Sequence, residues 1–177
     1  MIKIIRLIAF FMVAISCWSF VQQQYLIWNE NQKLDYNDFK GKAPKDIKLT
    51  GGNLYTEFSY TRSQKGDEVP RYTIVNRMDQ TKSWINRKDP DMLAQKQLQF
   101  DIAELYARKI RKSFRELNQK KVKNDNEYKS VILKNTRLKE KINAKYQHLL
   151  AEQPKLLEIV NKSYQDSLKI YKEFAVQ

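Results

Sequence analysis

The sequence predicts an α+β domain, a small antiparallel hairpin followed by three helices. Two observations carry this. Apolar residues alternate with polar ones between positions 54 and 78, then recur every third or fourth residue from position 91 onward. Strands first and helices last is the order of a fold whose helices are segregated against a small sheet. The chain has 177 residues, 42% hydrophobic and 12% aromatic, with only 4 Gly and 4 Pro, which suits one folded domain and not a disordered chain.

At the start, Lys3 and Arg6 precede an apolar stretch from Leu7 to Val21, broken only by Ser16, Cys17 and Ser19. It is shorter than the roughly 20 residues a spanning helix needs, and residues 1–20 read as an export signal. Cys17 follows Val13-Ala14-Ile15-Ser16, a run like a bacterial lipobox. Three outcomes stay open: lipidation at Cys17, ordinary cleavage near Ser16 or Ser19, or an uncleaved anchor. Each places a single domain over residues 24–177 outside the cytoplasm, periplasmic or membrane-attached in a Gram-negative bacterium. With one cysteine in the chain, an intramolecular disulfide is excluded.

Tyr25-Leu26-Ile27-Trp28 and Leu34-Asp35-Tyr36-Asn37-Asp38-Phe39 both have strand character, the second closed by Gly41 and Pro44. Gly51-Gly52-Asn53 marks a turn. Leu54, Thr56, Phe58 and Tyr60 then alternate with Tyr55, Glu57, Ser59 and Thr61, and beyond Pro70 the residues Tyr72, Ile74 and Met78 do the same. A hairpin with strands near 54–62 and 71–78 follows. From Asp91 the period changes: Leu98, Ile102, Leu105, Tyr106, Ile110, Phe114 and Leu117 predict a helix over about 91–118, capped by Asp91 or Asp89 with Pro90 at an allowed early position. The charged break Lys120 to Asn126 separates it from a second helix carrying Tyr128, Val131, Ile132, Leu138, Ile142, Tyr146, Leu149 and Leu150. A third begins at Pro154.

The net charge is +13, and from Leu105 onward 18 Lys or Arg face 8 Asp or Glu. Charge alone admits nucleic acid, anionic lipid or acidic polymers. Export, and aromatics at core-like spacings instead of on a stacking platform, argue against nucleic acid. The cluster Arg108, Lys109, Arg111, Lys112, Arg115, continued by Lys120, Lys121 and Lys123, reads either as solvated helix faces or as a membrane-surface contact reinforcing an anchor at Cys17.

The most informative stretch is Gln95-Lys96-Gln97-Leu98-Gln99, followed by Phe100-Asp101-Ile102-Ala103-Glu104 and Tyr106-Ala107-Arg108-Lys109. A zinc-peptidase helix reads His-Glu-x-x-His: two imidazoles one turn apart bind the metal and the Glu takes a proton from metal-bound water. The flanks here resemble domain of unknown function family 922, exported bacterial proteins regarded as zinc-dependent peptidases of the zincin type. Leu34 to Gly41 and Ser83-Trp84 resemble further family landmarks, and the likeness runs roughly from Leu34 to Phe114. The resemblance implies a zincin-like fold with ligands at Gln95 and Gln99 and a general base at Lys96. None of these three residues suits its role. An amide oxygen is a poor zinc ligand beside imidazole, and an ammonium cannot accept a proton. Zinc and other cofactors are therefore expected to be absent.

Three readings follow. In the first, the chain is a catalytically inactive relative of a zinc metallopeptidase, an exported binding or regulatory envelope protein with a peptide or protein partner. There Gln95 and Gln99 share a helix face with Leu98, Ile102 and Tyr106 and look into a remnant cleft, open to a bound peptide or collapsed. In the second it is an active zinc peptidase with unusual ligands such as Asp101, Glu104 and the single histidine, His148. In the third it is a helical membrane-surface interaction module unrelated to zincins.

Overall fold

A computed structural model of the chain describes residues 24–47 and 49–176. The expected export signal of residues 1–20, with Cys17, lies outside the described residues.

The hairpin forms where the alternation places it. Strand β3 (Thr56–Ser63) pairs antiparallel with β4 (Arg71–Asp79), in continuous register from Thr56 opposite Met78 to Ser63 opposite Arg71. In β4 every second residue is buried, so Tyr72, Ile74, Asn76 and Met78 face the helices. A short β1 (Tyr25–Ile27) pairs on the other side of β4, giving the order β1-β4-β3. A separate two-stranded ribbon joins β2 (Gly52–Asn53) to β5 (Trp84–Ile85).

The segment Leu34 to Phe39 is not a strand. Tyr36–Asp38 is a single 3-10 turn, with Asp35 accepting a hydrogen bond from the Asn37 N–H and Asp38 from the Asp35 N–H. Two Asp residues at this spacing satisfy the backbone locally, which competes with strand pairing.

Helix α1 (Pro90–Gln119) starts as the sequence predicts, with the Asp89 carboxylate accepting from the N–H groups of Asp91 and Met92. It ends where Lys121 adopts a φ of 54°, which lets the Val122 N–H reach the Leu117 carbonyl. Helix α2 (Asp125–Glu152) is capped by Asn124. Helix α3 (Leu157–Ile170) follows a 3-10 turn at Pro154–Leu156. No helix among the described residues is long and apolar enough to cross a membrane.

α1 is the axis of the domain, packed against β4, α2 and α3. Near its C-terminal end Ile110 and Phe114 join Tyr72, Ile74 and Tyr128, with the Tyr72 and Tyr128 rings stacked at 4.7 Å. In its middle Leu98, Ile102 and Tyr106 meet Leu150 of α2 and flanking residues of α3. On the sheet side Phe100 packs with Leu34 and Met78.

Candidate functional site

The first half of α1 carries the altered motif, and its three positions have different surroundings. Lys96 is 4% exposed. Its stem lies against β2: a methyl group on Gly52 would come within 3.2 Å of the Lys96 Cε. No hydrogen-bond acceptor or carboxylate among the described residues meets its ammonium, and burial alone pushes its pKa down to about 8. Gln95, half-buried, lines an open cleft of about 490 Å³ with Ala94, Pro154, Leu157 and Asn161, and with the charged Asp91, Lys155 and Glu158. Gln99 is half-buried and bonds no described residue through its amide. The face that Leu98, Ile102 and Tyr106 present is filled by α2 and α3, so the expected cleft persists only at Gln95.

One turn further on, two buried carboxylates accept hydrogen bonds from neighbouring side chains. Asp101, 1% exposed, accepts from Trp28 Nε1 at 2.7 Å and Gln97 Nε2 at 2.8 Å through Oδ1, and from Gln165 Nε2 at 2.6 Å through Oδ2. Gln97 is fixed in turn because its own Oε1 accepts the Leu34 N–H at 2.8 Å. Burial raises the Asp101 pKa, and the three donors and Lys33 oppose that rise. Glu104, also 1% exposed, accepts from Arg108 Nε at 3.1 Å and from Arg111 at 2.8 Å. The same arginines donate to the carbonyls of Leu168, Ile74 and Phe174.

These contacts change how the basic cluster reads. Arg108 is 1% exposed, packed near the Trp28 ring, and Arg111 is largely buried. Their charge is spent inside the protein. Lys109 is half-buried over the Tyr106 ring, and burial lowers its pKa. Only Lys112 and Arg115 reach solvent, and Arg115 pairs with Glu173 at 2.7 Å. The five residues therefore do not form one surface patch.

His148 stands on the solvent side of α2, 75% exposed beside Glu152. The structure does not bring it to Asp101 and Glu104, and among the described residues no three of His, Cys, Asp and Glu cluster closely enough to hold a metal ion. The zinc implied by the resemblance does not fit the donors present: two amides and a buried ammonium at the motif, then Asp101, whose two oxygens already accept from side chains, and Glu104, one of whose oxygens is shared by two arginines. No catalytic step is derived through it.

Trp28 and Gln165 are site residues that sequence reasoning missed. They lie 73 and 64 positions from Asp101, and no local spacing signals them. Gln97 was legible in principle, because a Gln four residues before an Asp on a helix is a favourable pair.

The class defined by this fold and site is an α+β domain with a helix at its centre whose inner face holds buried polar groups. Comparison with family profiles, with curated proteins and with solved structures finds no match. The likeness to domain of unknown function family 922 rests on the motif residues themselves.

Proposed function

We propose that the protein is a non-catalytic relative of zinc metallopeptidases, exported, which acts by holding a peptide or protein partner in the cell envelope. One observation carries the non-catalytic part: the general-base position of the motif holds Lys96, a buried cation with no anion beside it. A dication bound next to that ammonium would be repelled, and the two buried carboxylates of the helix, Asp101 and Glu104, already accept from neighbouring side chains. The binding part rests on the cleft at Gln95. Its apolar floor of Ala94, Pro154 and Leu157, with the amides of Gln95 and Asn161, suits an extended peptide whose main chain needs both donors and acceptors.

Metal analysis and peptide-hydrolysis assays on the purified chain test this. The expected result is neither stoichiometric zinc nor turnover. Stoichiometric zinc and activity that disappear together in His148→Ala would sink the proposal. The ancestry has its own test in the triple variant Gln95→His, Lys96→Glu, Gln99→His, which should take up zinc. Failure of that well-folded variant to bind zinc would count against a zincin-derived scaffold.

A further inference from the structure

A longer row of free cations than α1 offers is found on α2. Lys134, Arg137, Lys141 and Lys145 are all exposed. At about 100° per residue they fall within an arc of about 80°. The buried residues of the same helix, Tyr128, Asn135, Lys139 and Leu150, point about 150° away from the centre of that arc. The stripe therefore faces directly away from the domain. None of the four makes an ion pair or hydrogen bond with a described residue; Lys145 lies only loosely, at 6.0 Å, over the Tyr146 ring. Glu152, beyond the stripe at the end of the helix, lies beside His148.

Two exposed leucines flank the cations, Leu133 at 50% and Leu138 at 39% exposure. Towards the C-terminal end a shallow, mostly apolar groove runs past Lys141, Ile142, Ala144 and Lys145 to Leu149, with His148 and Glu152 at its far end. No aromatic side chain lies on the arc to stack on a base, which separates it from a single-strand platform. A straight row about 16 Å long, with cations in front and aliphatic carbon beside them, matches a flat anionic surface that is apolar just below its charges. We infer that the outer face of α2 docks on the head groups of an anionic phospholipid bilayer, with Lys134, Arg137, Lys141 and Lys145 as the contacts and Leu133 and Leu138 at the boundary with the acyl chains. This surface is independent of the cleft at Gln95, so either assignment can fail alone.

Co-sedimentation of the full chain with vesicles tests it, using phosphatidylcholine alone and phosphatidylcholine mixed with phosphatidylglycerol. Binding through the N-terminal stretch, with Lys3 and Arg6, is common to the wild type and both variants and cancels when they are compared. Phosphatidylglycerol should raise the wild-type affinity at least about tenfold, a gain that falls as salt is added. K134Q/R137Q/K141Q/K145Q should lose most of this gain while binding neutral vesicles as before. K42Q/K45Q/K65Q/K120Q, which removes as many exposed charges elsewhere, should keep it. Equal loss in the two variants would mean non-specific attraction and overturn the assignment, as would a gain that survives in the α2 variant. Tighter wild-type binding to a duplex oligonucleotide than to the mixed vesicles, abolished in the α2 variant, would make nucleic acid the partner and also overturn it.

Discussion

Replacing Lys96 with methionine should make the protein more stable near neutral pH and remove part of the pH dependence of its stability. The ammonium is 4% exposed with no counter-charge among the described residues, and its pKa falls from 10.5 to about 8 on folding. That displacement corresponds to about 3 kcal/mol of destabilisation. The sign follows from proton uptake. The unfolded chain holds the Lys96 proton up to about pH 10.5 and the folded chain only up to about pH 8. Between these values the unfolded state binds more protons, so stability rises with pH across the window, while below about pH 8 the full penalty is present. Methionine keeps the length of the stem that lies against Gly52 and carries no charge. Urea unfolding of both proteins from about pH 7 to about pH 10 measures the effect, since other titrations cancel in the difference. The variant should lead by about 3 kcal/mol at the low end, and the lead should shrink as pH rises. A lead that does not vary with pH, or no lead, would refute the account of Lys96 as a desolvated, unpartnered cation.

Glu104→Gln removes the one anion shared by Arg108 and Arg111 and should cost about 3–5 kcal/mol, read as a fall in melting temperature. Gly41→Ala should destabilise by about 1–3 kcal/mol in the same assay, because its Cβ would stand 2.7 Å from the Ser83 carbonyl oxygen and 2.8 Å from that of Thr81. Both oxygens belong to backbone and cannot swing aside. The zinc-uptake and vesicle experiments complete the set.

Most of the architecture was legible because it rests on local period. Alternation along β3 and β4, and the three-to-four spacing along α1, each follow from one face being buried, and the cap at Asp89 follows from a short polar side chain ahead of an apolar run. The 3-10 turn at Tyr36 was not legible as such, since an aromatic and apolar pattern of six residues also fits a strand, and the decision came from Asp35 and Asp38. At the site, residue type alone disclosed that Gln95, Lys96 and Gln99 cannot form a zinc centre. It did not disclose where they point. A run of arginines looks the same in sequence whether it faces water or a buried glutamate, and only the packing of α3 and the C-terminal turn (Lys172–Phe174) separates Arg108 and Arg111 from Lys112.

The ties on Asp101 also bear on the timing of folding during synthesis. Trp28 is made long before α1 and Gln165 long after it, and both close on the same carboxylate. The Leu168 and Phe174 carbonyls that receive Arg108 and Arg111 are made later still. While the chain emerges from the ribosome, α1 can form and the hairpin can pair with it, but the polar groups on its inner face have to stay hydrated until the last helix arrives. The inner polar contacts of α1 therefore cannot close early, and this part of a nascent chain stays open, and accessible to anything that carries unfolded proteins, until Phe174 has been added.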